Sequence, residues 1–473
     1  MNNTLKLNKK RTFTIGFAFF GILLLWQVYD SWCPTFLSEL FRNTFYGDST
    51  EDHTEEVQYL VGIMMALDNL AALILLPLFG KLSDKTHTRI GKRMPYILVG
   101  TAVSAVAFPF IPVLFHYNNL AGVVIVMAIT VCFMMMYRNP AVALMPDMTP
   151  KPLRSRANGI INIMGYLGGA CATFLGIFFV LSSYLGTKAG AEHNWQYHNI
   201  WAIELPFLIA SVLMVISALF LFFKVKENDI AVEMKDEMEL GEKLAAVEDR
   251  VEADKPMSRA NRRMLILILV AEFFWFMADN GIGTFMGNYT VYYLKAATSS
   301  NMINTIVGGL GSVLGFAVGG AIAAKIGRKW TVSGGIGISL AAYITWIVLT
   351  FTVLKGAAGS GSFPKVIWAI WFVKGLGMSL VHVNSFPMVV ELCSSDKIGR
   401  FTGYYYAASM AAQTITPIAL GTLLLHPEIN FGYLPVYAGA CLVVAFVVFL
   451  FVANVKVDKV KIARGLEAFD SED

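Results

Sequence analysis

Charge is scarce in this chain. Asp, Glu, Lys and Arg make up 15% of its 473 residues, hydrophobic types make up 56%, and mean hydropathy is +0.59. A soluble domain carries roughly 25% charged residues, so too few charges are present to cover a water-facing surface. That argues against a soluble enzyme, a disordered scaffold and a nucleic-acid-binding module. The net charge of +4 is too small to call for a polyanionic partner. Cysteine is scarce as well. Cys33, Cys132, Cys171, Cys393 and Cys441 lie in or beside apolar runs without C-x-x-C spacing, and read as small apolar residues. There is no Walker motif, metal-ligand cluster or catalytic-triad spacing, so no cofactor, no metal and no enzymatic activity are expected. The stretch Gly309 to Gly315 has the look of a nucleotide-binding glycine loop, but it sits inside an apolar run with no strand before it, and fails that test of context. Gly311, Gly315 and Gly319 fall at steps of four, as do Gly165 and Gly169, which suits close helix packing.

Long apolar runs are abundant. A helix needs about 20 mostly apolar residues to cross ~30 Å of hydrocarbon, and twelve such stretches occur: about 13–37, 57–79, 94–115, 120–146, 158–181, 199–223, 264–287, 301–324, 331–354, 364–390, 402–425 and 434–454. The first follows basic residues as a signal peptide does, but its length and Asp30 mark it as a retained helix. With the N-terminus inside and the helices alternating, the inside segments carry 30 of the 37 Lys and Arg residues and the outside loops carry five. That bias obeys the positive-inside rule and places both termini in the cytoplasm. The expected fold is an all-α membrane protein of twelve transmembrane helices in two six-helix bundles, 1–223 and 264–473, joined by a charged cytoplasmic linker, 224–263. That linker contains 9 basic and 11 acidic side chains.

An internal repeat supports two halves. Gly80-Lys-Leu-Ser-Asp84 through Ile90-Gly-Lys-Arg93 has its counterpart in Gly320-Ala-Ile-Ala323 through Ile326-Gly-Arg-Lys329. Arg156-Ala-Asn-Gly159 has its counterpart in Arg400-Phe-Thr-Gly403. The first loop resembles the loop 2–3 signature of the major facilitator superfamily. Its continuation, Arg89-Ile-Gly-Lys-Arg-Met-Pro95-Tyr-Ile97, is similar to a run found in glycoside–pentoside–hexuronide:cation symporters and sucrose–proton symporters. So is Asn139 to Thr149 followed by Arg154-Ser-Arg156. The resemblance implies alternating access, with inner-loop charges acting as gates. Asp84, Arg89, Lys92, Arg93, Arg154, Arg156 and Arg328 are the gating candidates.

Ionisable groups at bilayer depth are costly and face a cavity or a partner. They are Asp30, Asp68, Arg138, Glu204, Glu272, Asp279, Lys374 and His382. Glu204 lies near an outer helix end, and Glu272 with Lys374 could form a structural pair. Asp30 lies in Trp26-Gln27-Val28-Tyr29-Asp30, Arg138 in Tyr137-Arg138-Asn139-Pro140, and Asp279 in Trp275-Phe-Met-Ala-Asp279-Asn280. Sugar hydroxyls need carboxylate and amide partners, and the apolar face of a sugar stacks on an aromatic ring. The expected substrate contacts are therefore Asp30, Arg138, Asp279, Trp26, Tyr29, Gln27, Trp275, Asn280 and Asn139, and the expected cation-coupling groups are Asp68, Asp30 and His382.

The resemblance also marks departures. Melibiose-type sodium symporters carry acidic cation ligands at the positions of Ala72 and Leu76, which argues against that kind of sodium site and leaves H+ as the expected co-substrate, with Na+ as the alternative. The expected function is import of a glycoside, a disaccharide or short oligosaccharide, by a monomer in the cell membrane. The partners are the sugar, the cation and the lipid bilayer. The alternatives are an exporter of drugs or metabolites on the same fold and a non-transporting sugar sensor.

Overall fold

The computed structural model describes residues 7–47, 53–150, 153–179, 200–241, 259–390, 392, 398–426 and 428–453. Among the described residues the chain is helical throughout, with no strand. In hydrocarbon every backbone N–H and C=O must be satisfied within the segment, and a helix does this. The elements are α1 (Lys9–Tyr46), α2 (Gln58–Lys85), α3 (Met94–His116, broken at Phe108 and Pro109), α4 (Leu120–Asp147), α5 (Arg154–Phe178) and α6 (Ile200–Lys224). After the linker come α7 (Arg259–Asn288, prolonged by a wide turn to Tyr293), α8 (Thr298–Ile326), α9 (Arg328–Phe351), α10 (Val366–Val390), α11 (Ile398–Leu423) and α12 (Leu434–Leu450). Eleven of these are long and apolar enough to cross a membrane. The other, α11, has 26 residues diluted by Ser409, Gln413, Thr414 and Thr416, and packs on α2 and α7.

Two apolar cores hold the molecule together. One lies among α1 to α6 and the other among α7 to α12. Outward-facing side chains such as Ile74, Val106, Ile125 and Val313 are more than half exposed, which is the expected belt of a lipid-facing surface. Small residues set the closest approaches. Gly311, Gly315 and Gly319 all face α10, where a methyl group on Gly311 would meet the carbonyl oxygen of Phe372 at 2.1 Å. In α5 the close contacts are at Gly165, against the Leu23 side chain, and at Gly168, against the carbonyl oxygen of Phe20, rather than at Gly169. Gly327 has φ +89°, which suits a residue without Cβ and lets α8 turn directly into α9.

Among the described residues, the polar contacts between the two halves gather towards one end. Asn288 of α7 accepts a hydrogen bond from Thr35 at 2.9 Å and donates to Ser38 and Gln58, both at 2.9 Å. Tyr292 donates to Glu39 at 2.9 Å, and Asn69 donates to the Gln413 carbonyl at 3.2 Å. Gly62 lies against the backbone of Pro417, and Gly421 against that of Gln58. All these residues belong to the C-terminal part of α1, the N-terminal part of α2 and the C-terminal parts of α7 and α11. Those are the ends away from the basic loops. The chamber between the halves is therefore sealed at that end.

The start of the charged linker is held against the N-terminal half. Its first turn, the short helix Glu227–Glu233, docks on the N-terminal half. The Glu227 carboxylate accepts from the backbone N–H groups of Arg93 and Met94, and the Asn228 amide donates to the carbonyls of Thr88 and Arg89. A carboxylate at the start of α3 satisfies N–H groups that the helix leaves free. Residues 242–258 lie outside the described residues.

Candidate functional site

The site is a chamber between the two bundles, in two connected lobes of about 280 and 260 Å³. Gln27, Asp30, Pro34, Asp279, Gly283 and Thr284 line both lobes. Helix geometry puts these side chains there. On α1, positions 27, 30, 31 and 34 recur at steps of three and four, and on α7 so do 279, 283, 286 and 287. Gly283 and Gly287 widen the space where a larger side chain would close it.

The N-terminal half contributes two acids and a base. Tyr29 is fully buried beneath Trp26, with ring centroids 5.9 Å apart, and its hydroxyl donates to Asp68 at 2.5 Å. The Arg138 guanidinium lies 5.8 Å over the Trp26 ring. Asp30 feels the charges of both Asp68 and Arg138. Gln27 donates to Ser31 at 3.2 Å. Trp26, Asp68 and Asn69 line one lobe beside Asn280 and Gln413 of the other half.

The C-terminal half contributes a closed ion pair. Lys374 of α10 binds Asp279 of α7 directly, and His382, whose ring packs 5.3 Å from Phe276, feels both charges. The Lys374–Glu272 pairing that the sequence left open is not formed. Asp279 takes Lys374 instead, and Glu272 is fully buried elsewhere. The second lobe is completed by Asn301, Thr305, Ser312 and Trp371.

Four expected contacts stand away from the chamber lining: Tyr29, Arg138, Trp275 and Asn139. Trp275 is fully buried with its ring 6.2 Å from Phe449 of α12, one turn along α7 from Asp279. Asn139 reaches α2, where its amide donates to the Leu76 carbonyl beside Gly80. Tyr29 acts from beneath, through Asp68. Lys374, Asn69, Gln413, Asn301, Thr305, Ser312 and Trp371 were not singled out as contacts from the sequence. Lys374 stood out only as a membrane charge with Glu272 as its possible partner, and for the amides and hydroxyls the available signal was a polar residue interrupting an apolar helix, which is frequent and unspecific.

The gating candidates cluster at the other end of α2, α3 and α4. Arg93 pairs with Asp84, binds Asp147 at 2.9 Å and reaches Ser83 at 2.5 Å, while Lys92 binds Asp147 at 3.0 Å. Burial works against the charge on Arg93, and Asp147 and Asp84 more than offset it, holding the guanidinium above its ordinary value. Arg154 donates to the carbonyls of Thr149 and Pro146. The Arg89 side chain is exposed, Arg328 is half-buried at the start of α9, and the Arg156 side chain lies outside the described residues. The described ion pairs here join elements of the N-terminal half to one another rather than to the opposite half.

The sequence profile of the Major Facilitator Superfamily matches residues 16–358 and 268–470. The chain belongs to the Major Facilitator Superfamily. Solved structures of this superfamily fold are similar across nearly the whole chain. The inward-open xylose transporter XylE from E. coli has a TM-score of 0.64 at 14% identity, covering 96% of this chain and 99% of that one. A bacterial homologue of the iron transporter ferroportin, inward-facing, has 0.63 at 13%, covering 94% and 99%. The POT family transporter PepTSo has 0.62 at 13%, covering 94% and 98%. At these identities the likeness is one of fold. Among curated proteins the sequence has no significant match. This member of the superfamily is a multi-pass membrane protein with a transporter fold, and the chamber lies where its two bundles face each other.

Proposed function

We propose that this chain is a secondary active transporter of the cell membrane that imports a glycoside, a disaccharide or short oligosaccharide, by symport with H+. The carrying observation is the chamber itself. Asp30, Asp68 and Asp279 line it. Lys374 and the amides of Gln27, Asn69, Asn280 and Asn301 stand around them, and Trp26 supplies a ring. Such a wall suits a neutral polyol, whose hydroxyls both donate and accept. The loop residues Arg89 to Ile97 support the sugar-symporter branch by resemblance, and a D-xylose-proton symporter has a similar fold.

Asp68 and Asp30 are the cation-coupling groups of this reading. A proton on either changes the field at Arg138 and so couples loading to the solute beside Trp26. His382 acts on the C-terminal pair. The inner charges around Arg93 gate by holding the α2–α3–α4 end as one block while the halves rock about the chamber. The basic loops place that end, and both termini, in the cytoplasm. The state described is then inward-open, with the seal around Asn288 on the outside. The membrane potential adds about 2.3 kcal/mol per charge per 100 mV to inward movement.

Uptake into vesicles tests this reading, with labelled disaccharides and with pH and sodium gradients imposed separately. The pH gradient is expected to drive accumulation, and Asp30→Ala or Arg138→Ala to abolish it while the protein still inserts. Accumulation driven by sodium alone overturns the proton assignment, and normal accumulation by both variants overturns the site.

A further inference from the structure

Glu272 takes no part in the chamber. It lies on α7 at 0% exposure, and neither carboxyl oxygen has a hydrogen-bond partner. An ionised carboxylate buried without a partner is far less stable than the neutral acid, so this side chain carries a proton in the state described. The titratable group facing it is Tyr405 of α11, close enough for the two to interact electrostatically, and the Tyr405 hydroxyl shares a 2.9 Å hydrogen bond with Ser385 of α10. His382 of α10 packs on Phe276, one turn along α7, and is engaged with the Asp279–Lys374 pair. The sequence of α12 contains no charged side chain.

A buried acid that makes no hydrogen bond contributes nothing to the conformation in which it is seen. A leucine there would be less costly. The carboxyl is explained if the halves' other arrangement gives it a partner or water. We propose that Glu272 is a proton-binding site in the C-terminal half, separate from Asp30 and Asp68. It holds its proton while the inner side is open and exchanges it when α7, α10 and α11 rearrange, past the Tyr405–Ser385 hydroxyl pair.

Infrared spectra of the reconstituted full chain read the proton directly and need no substrate. Parent protein at neutral pH is expected to show a carboxylic acid C=O band that Glu272→Gln lacks. In D2O that band is expected to shift faster in the Asn288→Ala background, where the outer seal is weakened, than in the parent. The transport arm rests on the symport reading. With labelled sucrose, maltose and lactose, Glu272→Gln is expected to lose about tenfold or more of pH-driven accumulation while solute exchange without net proton movement stays within about twofold, a coupling loss of ordinary size. The proposal is overturned if no acid band disappears, if the D2O shift is the same in both backgrounds, if accumulation is unchanged, or if exchange is lost together with accumulation. A parent that responds only to sodium overturns the symport reading, and the infrared comparison still decides Glu272.

Discussion

The two halves hold their membrane charges differently. In the C-terminal half the base is spent. Lys374 is bound to Asp279, and both are shielded by α7 and α10. In the N-terminal half Arg138 makes no ion-pair contact among the described residues, lies over the Trp26 ring, and shares its field with Asp30, while Asp68 is held by the neutral hydroxyl of Tyr29. One side therefore resembles a structural clamp and the other a set of groups whose charge can change at modest cost. In the proposed reading, the C-terminal wall of the chamber holds a fixed ion pair and the N-terminal half carries the groups that change charge.

The sharpest break of that contrast is Lys374→Met. It leaves the Asp279 carboxylate, partly open to the chamber, without its cation, and a loss of about 1–3 kcal/mol is expected, read as a lower thermal unfolding midpoint in detergent. Adding Asp279→Asn should recover most of it, and a double variant as unstable as the single one would show that Lys374 matters for packing rather than charge. Arg138→Ala should separate function from stability. Accumulation falls about tenfold or more, within the usual range of coupling between sites, while the unfolding midpoint drops less than in Lys374→Met. A drop equal to that of Lys374→Met would erase the distinction between the two walls.

The seam between the halves comes next. Asn288→Ala leaves the buried Thr35 hydroxyl without its acceptor and takes one partner each from Ser38 and Gln58, at a cost of about 1–3 kcal/mol that falls on the outer-closed state. Spin-label distances across the outer end should lengthen in a larger fraction of molecules, and unchanged distances would place the seal in the glycine contacts of α2 and α11. The smallest effect is expected at Lys92→Ala. That ion pair is partly exposed, with Lys92 at 40%, and Arg93 still binds Asp147, so thermal stability should move by only about 0–1 kcal/mol.

Much of the site was legible before any coordinates. Asp30, Asp68, Arg138 and Asp279 stand out because an apolar helix gives each charge a conspicuous background. Their facing could be judged only in part. Trp275 sits four residues from Asp279, a spacing that puts two side chains on one helical face, yet one turn along α7 the ring packs on Phe449 of α12 while the acid lines the chamber. Asn139 lies next to Arg138, yet its amide ties α4 to α2 at Gly80. Amides such as Gln413 gave no signal, since an uncharged polar residue is tolerated in many membrane helices.

The sequence by itself determined an all-helical fold of long membrane-spanning runs, and it sets the expectation of their inside and outside ends and of a doubled architecture. These follow from the hydrocarbon thickness and from the cost of moving Lys and Arg across it, both properties of short segments. Which acid takes Lys374, which end of the chamber is shut, and that Glu272 is left alone were decided by tertiary structure. Each depends on angles and contacts between helices up to hundreds of residues apart, such as Thr35 with Asn288, and no local run of residues encodes the meeting of two surfaces.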